Sequence, residues 1–156
     1  MDSAADRAIE ALGLAPHPEG GFYRETYRSP QTVATARGER SALTSILFVM
    51  TSGSFSAFHR IASDEAWHFY RGDPIAIEIL HPDGTYERRE LSGERRQTVV
   101  PAHAAFASHV ETPGGYALVG CDVAPGFEFD DCELCDRADL MRRHPQQAEL
   151  IARLTR

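Results

Sequence analysis

The sequence predicts a mainly β domain, a sandwich or closed barrel of short strands with short helices at its two ends. Three observations predict it. Between Leu43 and Val123, short apolar or alternating runs recur, each stopped by a turn signal rich in Gly, Pro, Asp or Ser. Outside that span, before Gly13 and after Asp136, apolar residues fall at helical spacing. No linker, repeat or low-complexity stretch divides the 156 residues, a length that suits one domain (1–156) with one substantial core.

Each element follows from local pattern. Ala5, Ala8, Ile9 and Leu12 form one helical face, and Gly13 is a left-handed cap that ends it. Pro16 to Gly21 is turn-rich and continues neither helix nor strand. Phe22 to Tyr27 alternates as a strand, with Phe22, Arg24 and Thr26 on one face and Tyr23, Glu25 and Tyr27 on the other. Leu43–Met50, Phe55–Ile61, Glu65–Tyr70, Ile75–Leu80, Tyr86–Leu91, Gln97–Val100, Ala104–Ser108 and Tyr116–Val123 are the remaining strands. Gly72-Asp73-Pro74 and His81-Pro82-Asp83-Gly84 are turns between them. After Pro125-Gly126, Asp136–Arg143 and Pro145–Arg153 become helical, with Pro145 in the first turn of the last helix.

Composition narrows the function classes. Hydrophobic residues make up 42% and charged residues 25%, the range of an ordinary globular chain. A net charge of -7 argues against a nucleic-acid partner, since the arginine pairs 37/40, 88/89 and 95/96 are interleaved with acids. No apolar run approaches the ~18 residues of a membrane span, and the acidic, Ala-rich start lacks the features of a secretory leader. Three cysteines do not suggest a disulfide framework. The expectation is a cytoplasmic protein with no membrane or nucleic-acid partner.

The chemistry concentrates in one run: Gly53, five residues, His59, five residues, Glu65, six residues, Gly72. On alternating strands His59 and Ile61 share one inner face, and a turn at Ala62-Ser63-Asp64 brings Glu65 to the same cavity from the next strand. Gly53 and Gly72 are read as the bends on either side. The spacing resembles the first half of the cupin signature, in which Ile61 stands where a second His is usual. The longer stretches PHPEGGFYRETYRS (16–29), SDEAWHFYRGDP (63–74), VVPAH (99–103) and LVGCDVAPGFEF (118–129) resemble the cupin type 5 family, over almost the whole chain. The resemblance implies a double-stranded β-helix, the cupin jelly-roll barrel, with appended helices and a homodimeric assembly. It implies no particular reaction, because the family has none assigned.

Metal-binding cupins offer three His and one Glu, and catalytic metal sites need about three protein ligands. In the second half of the signature, His103 stands at a glycine position and Phe106 at the ligand position. With Ile61 also apolar, His59 and Glu65 are the only ligands left, so a metal-free pocket is expected and a divalent metal on that pair is the alternative. His68 and His109 fall on the opposite face by alternation unless a bulge intervenes. A His–Glu pair suits a small-molecule pocket for a sugar-like, nucleotide-like or other polar organic ligand. By analogy with cupin-fold sugar epimerases, it also suits an isomerase with His59 as general base. Tyr23, Tyr70 and Tyr116 are the candidate acids, Arg24 and Arg28 the candidate anion clamps, and Trp67, His68 and Phe106 further ligand contacts. Cys132 and Cys135 have redox or zinc spacing but no accompanying ligands, so both are read as packing residues, and Cys121 as core. His17, His81 and His144 are read as surface residues.

Overall fold

The computed structural model describes residues 3–156. Helix α1 (Ala4–Leu12) opens with a capping box, Ser3 accepting from the Asp6 amide while the Asp6 carboxylate accepts from the Ser3 amide, and closes on Gly13 in the left-handed conformation. Thirteen strands follow: β1 (Ala15–Pro16), β2 (Phe22–Arg28), β3 (Thr32–Thr35), β4 (Gly38–Ser41), β5 (Thr44–Thr51), β6 (Phe55–Ile61), β7 (Asp64–Gly72), β8 (Ile75–Leu80), β9 (Tyr86–Leu91), β10 (Gln97–Val100), β11 (Ala105–Val110), β12 (Tyr116–Ala124) and β13 (Cys132–Leu134). Helices α2 (Arg137–Arg143) and α3 (Ala148–Arg153) end the chain, with Pro145–Gln147 forming a 3-10 turn between them.

The strands form a six-stranded antiparallel sheet in the order β1-β2-β5-β12-β7-β10, and a five-stranded one in the order β13-β6-β11-β8-β9. From β10 to β13 the chain changes sheet at every step, winding the two sheets around a shared interior. Phe48, Met50, Trp67, Phe69, the three isoleucines of β8 (Ile75, Ile77, Ile79) and Phe106 fill it. Burying such side chains contributes on the order of 1.5–3 kcal/mol each. The outer face of the five-stranded sheet is covered too: Phe58, Leu80, Ala105 and Ala107 pack under Leu140, Ile151 and Leu154 of the C-terminal helices. This double cover is why all six residues of β8 are buried, and not just every second one.

Two irregularities set the inner face. In β2, Glu25 opposes Ile46 and Tyr27 opposes Ser45, so Thr26 is an inserted residue and the alternation slips by one. Arg28 thereby joins Tyr23 and Glu25 on the cavity side, where simple alternation places Tyr27. In β6, Ser56 opposes Ser108 and His59 opposes Phe106, so two residues of β6 span one of β11. Both Ser56 and His59 consequently face inward. The hairpin β3–β4 has no apolar alternation to mark it, because nearly all of it is exposed.

Of the two glycines flanking the His–Glu run, only Gly72 is conformationally required. Its φ is 103°, and a Cβ there would lie 2.2 Å from the Tyr116 carbonyl oxygen. Gly53 does sit in the turn between β5 and β6, but with open space around it and no positive φ that turn does not require a glycine. His103, at the glycine position of the second motif, does take a left-handed φ of 68°.

Candidate active site

A cavity of about 230 Å³ lies between the sheets, open at one end. His59 and Ile61 line it from β6, Glu65 and Trp67 from β7, Tyr23 from β2 and Cys121 from β12. These alternate positions on neighbouring strands face the interior, and the β6–β7 turn carries the chain from one sheet to the other. Its rim is formed by Glu25, Arg28 and Glu128, whose side chains are exposed, beside Phe127 and Phe129.

The other proposed contacts lie elsewhere. Arg24 is exposed on β2, on the face away from the cavity. His68 is on the outer face of the six-stranded sheet, where Gln97 donates to its Nδ1 (3.0 Å) and its Nε2 meets Asp122 (2.9 Å). Tyr70 lies over Gly120 on that same outer face, beside a shallow groove shared with His68 and Gln97. Tyr116 is at the far end of β12, opposite Thr51 and remote in register from Cys121. Phe106 does not line the cavity but stands behind it, its ring 4.2 Å from that of His59 and 6.4 Å from that of Trp67. Alternation accounts for Arg24 and His68; distance along the strand accounts for Tyr116.

The structure adds residues that strand patterns do not flag. The turn His17–Gly21 folds inward and delivers His17 and Glu19 to the cavity. Gly20, with φ 115°, permits this, because a Cβ there would overlap the Phe55 carbonyl. His17 is therefore a cavity residue, and its reading as a surface side chain is corrected. His144, too, is buried. Cys132 on β13 also lines the cavity and donates its thiol to Glu19 at 3.2 Å. Cys135, three residues on, packs on the opposite side under the helices.

The carboxylates inside the cavity have contrasting surroundings. Burial pushes Glu19 upward, but the imidazole of His17 against it, the nearby His59 ring and the Cys132 thiol together outweigh burial and hold it down at about 2. Glu65 has no cation beside it. Burial raises it to about 7, the Glu19 charge adds to this, and only a hydrogen bond from the Cys121 thiol opposes it. His59 does not hydrogen-bond Glu65: its Nδ1 donates to the Ala57 carbonyl at 2.7 Å. That contact fixes the tautomer and leaves Nε2 as the ring's proton acceptor. Burial lowers the His59 pKa against the pull of the Ala57 carbonyl and Glu19, so the ring is held neutral.

The residues do not fit a metal ion. Ile61 and Phe106 fill two of the four positions that resemble ligand sites, which leaves His59 and Glu65, fewer than the three or so protein ligands such a site needs. Among the described residues no group of three or more His, Cys, Asp or Glu is arranged to hold a metal.

Comparison with known proteins agrees with this architecture. Residues 6–135 match the family described as Cupin superfamily (DUF985). The chain belongs to that family. The cupin barrel is accordingly the double-stranded β-helix described above. A solved hypothetical protein from Leishmania major is 35% identical, with 99% of each chain covered and a TM-score of 0.89. A solved protein from Shewanella oneidensis is 38% identical, covering 100% of this cupin and 99% of that chain, with a TM-score of 0.88. An uncharacterized protein of Saccharomyces cerevisiae is 29% identical over 150 residues, covering 83% of this chain and 74% of its own. No helix of this cupin is long and apolar enough to cross a membrane among the described residues.

Proposed function

We propose that this cupin binds a small polar organic molecule in the barrel cavity, with Glu65 and His59 as its principal polar contacts. Glu65 carries the reading. It is 8% exposed, it lines an open cavity, and among the described residues its side chain has only the Cys121 thiol as a partner. A buried carboxyl with so little compensation is costly unless a ligand completes its hydrogen bonding. The mixture of aromatic walls and a few convergent polar groups is the usual character of a ligand site.

A second reading, turnover by proton transfer, is favoured by the split between the two carboxylates. Glu19 stays ionised while Glu65 exchanges a proton near neutrality, and His59 offers an unprotonated Nε2. Groups driven apart in this way suit acid and base roles in an isomerase-type reaction, with the Tyr23 phenol on the same cavity wall.

A thermal-shift screen of neutral, anionic and cationic small molecules tests the binding reading, since a specific ligand raises the melting temperature by mass action. A hit that exchanges a C–H for deuterium in D₂O with wild type, and stops doing so in His59→Ala while still binding, selects turnover. Stabilisation without exchange selects a binding module. A fully folded protein that no compound stabilises contradicts both.

A further inference from the structure

Resting on that reading of the cavity as a ligand site, we infer that its ligand is a small organic ammonium ion carrying a hydroxyl or other oxygen acceptor. Four carboxylates line the cavity and its rim: Glu19, Glu25, Glu65 and Glu128. Arg28 is the one arginine among the lining residues, and four of its five N–H donors are already used. It meets Glu25 at 2.8 and 3.3 Å, Glu128 at 2.8 Å and the Phe127 carbonyl at 3.0 Å. His17 is tied to Glu19, and His59 is held neutral. An entering anion would meet a surplus of negative charge and no free cation, whereas a cation is drawn inward.

Two buried groups specify the ligand further. Glu65 lacks a cationic partner, and a ligand ammonium is the group that supplies one. Trp67 is 3% exposed, lines the cavity, and its indole N–H has no acceptor among the described residues. A hydroxyl on the ligand would satisfy that donor. The walls contributed by Tyr23, Phe48, Trp67, Phe127 and Phe129 are aromatic, and aromatic faces attract desolvated organic cations where they repel carboxylates.

Occupancy by an ammonium requires Glu65 to be ionised. The groups that face it are Cys121 from β12, Glu19 and His17 from the inward turn, His59 from β6 and Cys132 from β13, with Glu25, Arg28 and Glu128 at the rim. None places a free positive charge beside it. A bound cation therefore favours the charged form of Glu65 and displaces its proton, so ammonium affinity rises with pH up to about 7 and levels off above it.

The test uses three compounds on one ring: trans-2-aminocyclohexanol, trans-1,2-cyclohexanediol and trans-2-hydroxycyclohexanecarboxylate. Trp67 is the chain's one tryptophan, so quenching of its fluorescence reports binding in this cavity. The expected result is ammonium binding at least about tenfold tighter than the diol, with no binding of the carboxylate. Below pH 7 the ammonium affinity should weaken by roughly tenfold per pH unit. Glu65→Gln should remove both the preference and the pH dependence. Equal or tighter binding of the diol or carboxylate overturns the ammonium inference and leaves the small-molecule reading standing. A pH-independent affinity in wild type overturns it too, without reliance on the variant. Failure of all three compounds to quench Trp67 also counts against it, while a hit of another charge class in the broader screen keeps the cavity reading alive.

Discussion

Glu65 and Glu78 are both buried carboxylates on strands, yet their surroundings are opposite. Glu78, on the outer face of the five-stranded sheet, is fully buried and accepts from Tyr86 Oη at 2.7 Å, His109 Nε2 at 2.8 Å and Arg88 Nη1 at 3.0 Å. Burial pushes its pKa up, but His109, Tyr86 and Arg88 together hold it below the ordinary carboxylate value. Glu65, on the inner face of the other sheet, has a thiol where Glu78 has a guanidinium, an imidazole and a phenol, and it is raised to about 7. Burial sets the penalty for a charge, and partners decide whether the charge is kept. A carboxylate with all its partners inside the fold is structural, whereas one left short inside a cavity is the observation on which the proposed ligand site rests.

The largest effect expected from this contrast is at Glu78. Glu78→Ala leaves His109 and Arg88 without their buried acceptor and should cost about 3–5 kcal/mol in chemical denaturation. Next is the pH dependence at Glu65. Its folded pKa lies above its ordinary 4.5, so the unfolded chain binds fewer protons between 4.5 and about 7, and the contribution of Glu65 to stability falls as pH rises through that window. Wild type should lose about 3 kcal/mol between pH 4.5 and 8 relative to Glu65→Gln. Glu78 runs the other way: its depressed pKa means that its contribution is present above 4.5 and is lost on further acidification. The smallest effect is at Tyr86. Tyr86→Phe removes one of three bonds to Glu78 from a partly exposed ring and should cost about 1 kcal/mol. If Glu65→Gln and wild type kept parallel pH profiles, the distinction between the two carboxylates would collapse.

Much of this was legible in residue order, and the limits have physical causes. Alternation on regular strands places His59 and Ile61 on the inner face, the turn after them brings in Glu65, and alternation puts His68 outside, against its reading as a ligand contact. It failed where pairing slips. The inserted Thr26 moves Arg28 to the cavity rim, and no local pattern announces a bulge of that kind. It was silent on His17, Glu19 and Cys132, which come from a turn and a three-residue strand brought in by long-range packing. The Gly20-Gly21 pair was the available signal for His17 and Glu19, since consecutive glycines after a Pro mark a backbone that approaches another segment closely. His59 and Glu65 share the cavity without a hydrogen bond between them, because the Ala57 carbonyl beside the β6 bulge takes the imidazole Nδ1 instead.

The most direct measurement is an NMR titration of the Glu65 side-chain carboxyl carbon in the folded, ligand-free protein. A midpoint near 7, well separated from the exposed glutamates, is the expected result. A midpoint near 4.5 would mean that Glu65 is already solvated or paired, and the cavity would then lack the uncompensated carboxyl on which the functional reading stands.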